Sequence, residues 1–84
     1  MTLEELSVIT QRPLRASFYS RGDQQWYLFL EGAEIEKDDQ ARASTYGVGA
    51  SFEEARVMYV DRIRGKLLFV GRASTPYSVP ETLH

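Results

Sequence analysis

The segment from residue 47 to residue 69 constrains the fold more than any other, because it carries the start and stop signals of a helix placed between two strands. Ser51 can accept a hydrogen bond from a free N–H group of the first helical turn. Glu54, three residues later, can bond back to the Ser51 N–H, which makes a capping box. Gly65 can adopt the left-handed conformation that ends many helices. We therefore expect a helix between Ser51 and Gly65.

The residues of this helix divide into an apolar and a charged face. At about 100° per residue, the apolar face collects Phe52, Ala55, Tyr59 and Ile63. This spacing predicts that the face packs against a core. Arg56 falls beside the apolar stripe, where it either extends its charged head to solvent or forms a buried pair with a carboxylate.

Gly47-Val48-Gly49 comes just before the helix and allows two interpretations. A helix N-terminus preceded by glycines can bind phosphate, but Phe52 occupies the third glycine position of the G-x-G-x-x-G pattern. Glu53 and Glu54 would also repel a phosphate. The glycines are therefore interpreted as a bulge or as a close approach of two backbones.

The remaining chain predicts four strands and a short first helix. Alternating apolar and polar residues indicate strands over residues 14–21 and 25–31. A third strand is expected over residues 41–48, whose small residues suit a close approach by the helix, and a fourth over residues 66–72, whose apolar run of four residues suits a central, buried strand. Residues 2–5 form another capping-box pattern, which favours a helix through about Thr10, although residues 7–10 also suit a strand. Residues 73–84 are expected to be an irregular C-terminal tail.

These elements predict an α+β fold in the order α-β-β-β-α-β, as one domain spanning residues 1–84. Short connections make the first three strands an antiparallel meander, and a fourth strand joins them. The natural arrangement is one antiparallel sheet with the main helix across one face. The predicted inner face of the sheet consists of Leu14, Ala16, Phe18, Trp26, Leu28 and Leu30.

The opposite face of the sheet is the first candidate binding surface. It carries rings and guanidinium groups from Arg15, Tyr19, Arg21, Tyr27 and Phe29, with Tyr46 and Arg42 as further candidates. Tyrosine and arginine are enriched where proteins bind proteins, and rings on an open sheet also stack on single-stranded RNA. The simplest alternative is cross-strand pairing, or cover by the tail or a second subunit.

The second candidate surface is acidic. Its carboxylates belong to Glu31, Glu34, Glu36, Asp38 and Asp39, interrupted only by Lys37. They are either solvated groups that protect an edge strand from aggregation, or a patch that competes for a basic groove by replacing phosphates. Their spacing does not match a calcium-binding loop.

Composition argues against several functional classes. The 84 residues contain no cysteine and one histidine, His84, so neither a His/Cys metal site nor a Ser-His-Asp triad is expected. The net charge of -2 does not favour non-specific nucleic-acid binding. No apolar run approaches the ~20 residues that span a bilayer. Residues 1–5 include two glutamates and do not resemble a secretory signal. We expect a cofactor-free, non-enzymatic protein of a reducing cytoplasm, without a membrane partner.

Two resemblances add to this interpretation. The order of elements resembles the double-stranded-RNA-binding domain, but Ser51-Phe52-Glu53-Glu54 stands where that family has phosphate-binding lysines. A second set of residues is similar to a segment found in small proteins encoded by phages and prophages of proteobacteria. The matching residues are Gly47, Gly49, Ser51, Glu54, Ala55, Tyr59, Ile63, Gly65, Lys66, Leu67 and Phe69.

The second resemblance implies an accessory protein that acts in the host cytoplasm by binding a host protein, as anti-CRISPR proteins do. It supplies no catalytic residue. The leading hypothesis is therefore a protein-binding module, a phage-encoded inhibitor of a host defence complex such as CRISPR–Cas. The alternatives are a single-stranded RNA-binding module that uses the aromatic face, and a homodimeric structural or assembly protein.

Overall fold

Antiparallel strands and two helices alternate along the chain in this computed structural model, which describes residues 1–36, 41–71 and 75–84. Within those residues the helices are α1 (Leu3–Thr10) and α2 (Phe52–Ile63). The strands are β1 (Leu14–Phe18), β2 (Trp26–Leu30), β3 (Ala33–Glu36), β4 (Arg42–Ser44), β5 (Gly47–Gly49), β6 (Leu67–Val70) and β7 (Tyr77–Ser78). The predicted α+β class, with antiparallel strands and a main helix on one face, is confirmed.

The strands form two sheets where one was predicted. The first sheet has the order β1-β2-β5 and the second the order β4-β3-β6-β7, with every neighbouring pair antiparallel. The chain leaves the first sheet at Gly32, which has a φ of 72°, and returns to it between Ser44 and Gly47. A positive φ is available to glycine without steric cost. Gly32 therefore turns the chain out of the first sheet, although the alternation of apolar and polar residues continues past it.

Both helices begin as the sequence predicts. The Thr2 hydroxyl accepts a hydrogen bond from the Glu5 N–H, and the Glu5 carboxylate accepts one from the Thr2 N–H. In α2 the Ser51 hydroxyl accepts from the Glu54 N–H at 3.1 Å. The Glu54 carboxylate bonds to the Ala50 N–H at 2.9 Å, one residue before the predicted donor.

The core lies where α2 crosses β5 and β2, and α1 and the C-terminal residues complete it. Its buried residues are Leu3, Leu6, Leu28, Leu30, Ala33, Ile35, Ala55, Tyr59, Val60, Ile63, Leu68, Val79 and Leu83. Three residues predicted to face the core, Ala16, Phe18 and Phe52, are exposed. Because α2 lies over β5 and β2, the first strand extends beyond the cover of the helix.

Gly47 and Gly49 allow the close contact between β5 and α2. A Cβ at Gly47 would overlap the Ala55 carbonyl oxygen and lie 2.7 Å from the Tyr59 Cβ. A Cβ at Gly49 would lie 2.5 Å from the Glu54 Cβ. Of the two interpretations of these glycines, a bulge or a close approach of two backbones, the close approach is the one observed.

The C-terminal segment packs against the start of the chain. Residues 75–84, predicted to be irregular, contain the two-residue strand β7 and no other regular element. Val79 and Leu83 are buried in the core. The Leu3 N–H donates to the His84 carbonyl at 2.9 Å, and the His84 N–H donates to the Met1 carbonyl at 3.1 Å. The last residues therefore lie beside α1.

Candidate functional site

The aromatic side chains of the first sheet come together because of the strand register. Phe29 lies opposite Arg15 on β1, and Tyr27 lies opposite Ser17 on β1 and Val48 on β5. Side chains alternate between the two faces of a strand, so Tyr27 and Phe29 point away from the buried Leu28 and Leu30. The face opposite the helix therefore carries the rings, as the alternation predicts.

Four rings form two edge-to-face pairs on this face. Tyr19 and Tyr27 have centroids 5.0 Å apart at 87°, and Phe29 and Tyr46 have centroids 5.2 Å apart at 82°. With Gly22 and Asp23 they line an open groove of about 530 Å³, which we call the aromatic groove. Tyr19 is 54% exposed and Tyr46 is 42% exposed. Because edge-to-face pairs have a preferred geometry, the groove has a defined shape.

The turn between β1 and β2 fixes a carboxylate at one end of the aromatic groove. The Tyr19 N–H donates to the Gln25 carbonyl at 3.2 Å, which closes the hairpin. Asp23 accepts through Oδ1 from the Gln25 N–H at 3.2 Å and through Oδ2 from the Tyr27 O–H. That hydrogen bond to Asp23 raises the pKa of Tyr27. The carboxylate is therefore held against the rings.

Asp23 and Gly22 are the groove residues that sequence reasoning missed. The sequence predicts the hairpin turn at residues 21–24, and Asp is common in turns because it bonds backbone N–H groups two residues on. The bond to Gln25 follows that rule. The Tyr27 hydroxyl lies four residues beyond Asp23, across the hairpin, so the same turn also brings the carboxylate into the groove.

The predicted arginines do not line the aromatic groove. Arg15 Nη2 lies 3.4 Å from Glu31 Oε2, and both side chains are more than half exposed. Such a surface pair contributes little to stability. Arg42 belongs to β4 in the second sheet, where its guanidinium lies 3.9 Å from the centroid of the Phe69 ring. Arg21 is exposed in the β1–β2 turn and is outside the groove lining.

The acidic residues do not line the aromatic groove. Glu34 and Glu36 are on β3, opposite Ser44 and Arg42 of the second sheet. Glu36 lines a neighbouring depression that shares Tyr46 with the aromatic groove and also contains Arg62 and Lys66, so cations accompany this carboxylate. Asp38 and Asp39 fall outside the described residues.

Neither a metal centre nor a membrane span is found in the described part of the chain. No group of three or more His, Cys, Asp or Glu side chains there could hold a metal ion. Among the same residues, no helix is long and apolar enough to cross a bilayer. In comparisons with known proteins, no family model, no curated protein and no solved structure matches this chain.

Proposed function

We propose that this chain is a non-enzymatic protein-binding module whose contact surface is the aromatic groove. The observation that supports it is an open groove with four rings in two defined pairs. The C-terminal residues pack on α1 and leave the described groove uncovered. Buried tyrosines dominate many protein–protein contacts because each buries a large area with little loss of side-chain entropy.

The charge of the groove favours a basic segment of the partner. The faces of aromatic rings carry negative electrostatic potential and attract lysine and arginine. Asp23 adds a carboxylate that two hydrogen bonds hold in place. No arginine or lysine is among the residues that line the groove in the described chain. The occupant that fits this chemistry is an arginine or lysine side chain from a partner protein.

The resemblance to phage and prophage accessory proteins supports one class of protein as this partner. It is a host protein with an exposed row of basic residues, such as the nucleic-acid groove of a CRISPR–Cas complex. An aromatic groove with a fixed carboxylate would occupy such a surface in place of phosphates and bases. The chain would then act in the host cytoplasm as an inhibitor that works by occlusion.

Single-stranded RNA is the competing ligand, because bases also stack on tyrosine and phenylalanine. Its phosphates would meet the Asp23 carboxylate on a chain with a net charge of -2. The protein partner is therefore preferred, and RNA binding becomes an alternative outcome of the test.

The test is capture of a partner from nuclease-treated bacterial host lysate, quantified by mass spectrometry. The wild-type chain is expected to retain one protein in stoichiometric amount. Tyr19→Ala and Tyr46→Ala should each reduce that amount about tenfold or more, the loss typical of a central aromatic contact. Val57→Ala is the matched control, because it removes an exposed apolar side chain from α2, outside the groove.

Asp23→Asn tests the preference for a basic segment. Asparagine keeps one oxygen, which can accept from the Gln25 N–H, and its N–H₂ group can donate to the Tyr27 hydroxyl oxygen, but it has no charge. Binding of the purified partner should weaken several-fold and depend less on salt. Equal capture by wild type and groove variants, or no stoichiometric protein, would contradict the proposal. RNA binding that weakens with salt and is lost in Tyr27→Ala would instead assign the groove to nucleic acid.

A further inference from the structure

The strand β1 has hydrogen-bonding groups directed to the open edge of the first sheet. It lies at the end of the order β1-β2-β5. The Glu31 N–H donates to the Pro13 carbonyl and the Tyr19 N–H donates to the Gln25 carbonyl, so the odd-numbered residues of β1 bond to β2. Because bonding directions alternate along an antiparallel strand, the N–H and C=O groups of the even-numbered residues point away from β2.

The edge of β1 lacks the features that usually prevent edge pairing. Proteins protect such edges with proline, lysine, inward charges or bulges. Between Leu14 and Phe18 the only charge is Arg15, which points to the groove face and contacts Glu31. Ala16 is exposed, and Phe18 is 47% exposed. The strand therefore presents both free backbone groups and free apolar side chains.

We propose that β1 pairs antiparallel with β1 of a second copy of this chain, about a two-fold axis that passes beside Ala16. The two three-stranded sheets then become one sheet of six strands. Ala16 lies opposite Ala16 of the second copy, and Leu14 of each copy lies opposite Phe18 of the other. All three of these residues have outward backbone groups, so each opposing pair exchanges both of its hydrogen bonds. Such a contact is symmetric and closed.

Side-chain chemistry selects this register. On one face Phe18 packs against Leu14 of the second copy, extending the ring contacts that Phe18 makes with Trp26 at 5.5 Å. On the other face Arg15 lies opposite Ser17. A shift of the second copy by two residues in one direction places Arg15 opposite Arg15, and like charges directly opposite destabilise a sheet. The same shift in the other direction leaves Leu14 outside the ladder.

The proposed dimer places both aromatic grooves on the same face of the six-stranded sheet, because opposing residues in an antiparallel pair point to the same side. Two identical grooves can then bind one multivalent partner more tightly than either groove alone. The pairing of β1 does not depend on what the groove binds, so failure of one proposal leaves the other intact.

Charge substitution at the two-fold axis tests the dimer by analytical ultracentrifugation. The wild-type chain should show a concentration-dependent species of twice the 9.6 kDa monomer mass. Ala16→Lys alone and Ala16→Glu alone should each sediment as a monomer, because like charges then face each other. An equimolar mixture of the two should restore the dimer. Ser78→Lys, an exposed residue on the edge strand β7, is the matched control and should still dimerise.

A cysteine scan tests the register in this cysteine-free chain. Hydrogen-bonded residue pairs have Cα atoms about 5.5 Å apart, within the range that a disulfide bridges. Ala16→Cys should therefore form a covalent dimer on mild oxidation, whereas Ser17→Cys, opposite Arg15, should give little. A wild-type chain that stays monomeric at every soluble concentration would overturn the proposal. A dimer that survives Ala16→Lys, or equal cross-linking of both cysteine variants, would also overturn it.

Discussion

Tyr59 joins the helix to the sheet through both its ring and its hydroxyl group. The side chain projects from α2 into the core and is 1% exposed. Its hydroxyl oxygen accepts a hydrogen bond from the Leu30 N–H at 3.0 Å. The ladder between β2 and β5 ends at the pair Leu28 and Gly47, so the hydroxyl replaces a strand partner at Leu30. A buried N–H needs such an acceptor.

Tyr59→Phe should destabilise the fold although it preserves the ring. The buried Leu30 N–H loses its acceptor, which costs about 1–3 kcal/mol in the free energy of unfolding. Urea denaturation measures this difference. Tyr46→Phe is the control, because the exposed Tyr46 should change stability by no more than about 0.5 kcal/mol. Equal effects of the two substitutions would show that the hydrogen bond from Leu30 to Tyr59 makes no net contribution to the free energy of unfolding.

The same hydroxyl should make stability depend on alkaline pH. Burial raises the pKa of Tyr59 above its ordinary value of 10.0, and the hydrogen bond from Leu30 opposes this by a smaller amount. The folded chain therefore holds the proton more tightly than the unfolded chain. The stability that the neutral Tyr59 hydroxyl gives the fold is fully present below the pKa of the unfolded chain. It is lost as the pH rises through the pKa of the folded chain.

Wild type should consequently lose stability above about pH 10 more steeply than Tyr59→Phe. Urea midpoints measured from neutral pH upward test this, and all other tyrosines are common to both proteins. Parallel pH profiles would contradict the assignment. The sequence predicted that Tyr59 faces the core, but not what its hydroxyl binds, because the partner depends on where β5 ends.

The packing of α2 on β5 depends on two glycines that occupy one face of a strand. Gly47 and Gly49 are two residues apart, so both face the helix. The closest approach is at Ala55, whose carbonyl oxygen occupies the space that a Cβ on Gly47 would need. The spacing of the glycines made this contact predictable, since a strand interior otherwise favours residues with side chains.

Gly47→Ala should destabilise the protein by about 1–3 kcal/mol or more, because the helix must move away from β5 to admit a methyl group. Thermal and urea unfolding measure the loss. Gly22→Ala is the matched control, because its Cβ would lie at an ordinary 3.6 Å from the Tyr19 Cβ. That substitution should leave stability nearly unchanged or slightly raised. A neutral Gly47→Ala would mean that the helix can shift without loss of packing.

The division into two sheets was not predictable from the alternating pattern. Alternation continues through β2 and β3 on both sides of Gly32, and it records which face a side chain occupies, not where the chain changes direction. The aromatic groove was partly predictable, because alternation does show which side chains share a face. Alternation placed Tyr27 and Phe29 on one face, whereas the position of Arg42 depends on which sheet β4 joins.

The two ends of the chain and α2 meet at one place on the molecular surface. Arg56 donates through Nε and Nη2 to the Glu4 carboxylate, at 2.9 and 2.7 Å to Oε1. It also donates to the His84 carbonyl at 3.2 Å. Of the two sequence interpretations of Arg56, the pair with a carboxylate is observed, but the pair is not buried, because the Glu4 side chain is 56% exposed. The packing of Leu83 was not predictable, because one apolar residue after Pro80 makes no recognisable pattern.

This ion pair should make stability depend on acidic pH. The hydrogen bond from Arg56 lowers the pKa of Glu4 below its ordinary value of 4.5. Stability from the pair is therefore present above the unfolded pKa and lost as the pH falls through the folded pKa. Glu4 remains 56% exposed, so solvent screening limits the coupling to about 0.2–1 kcal/mol at neutral pH.

A double-mutant cycle of Glu4→Gln, Arg56→Gln and the combined variant isolates this coupling. The coupling should be measurable by urea denaturation at pH 7 and should vanish once the pH falls below the lowered pKa that Glu4 has in the folded state, where the carboxylate is protonated in both states. A coupling that persists unchanged into acid would contradict the assignment of this interaction to the charge of Glu4, and would leave packing of the Arg56 side chain as its source.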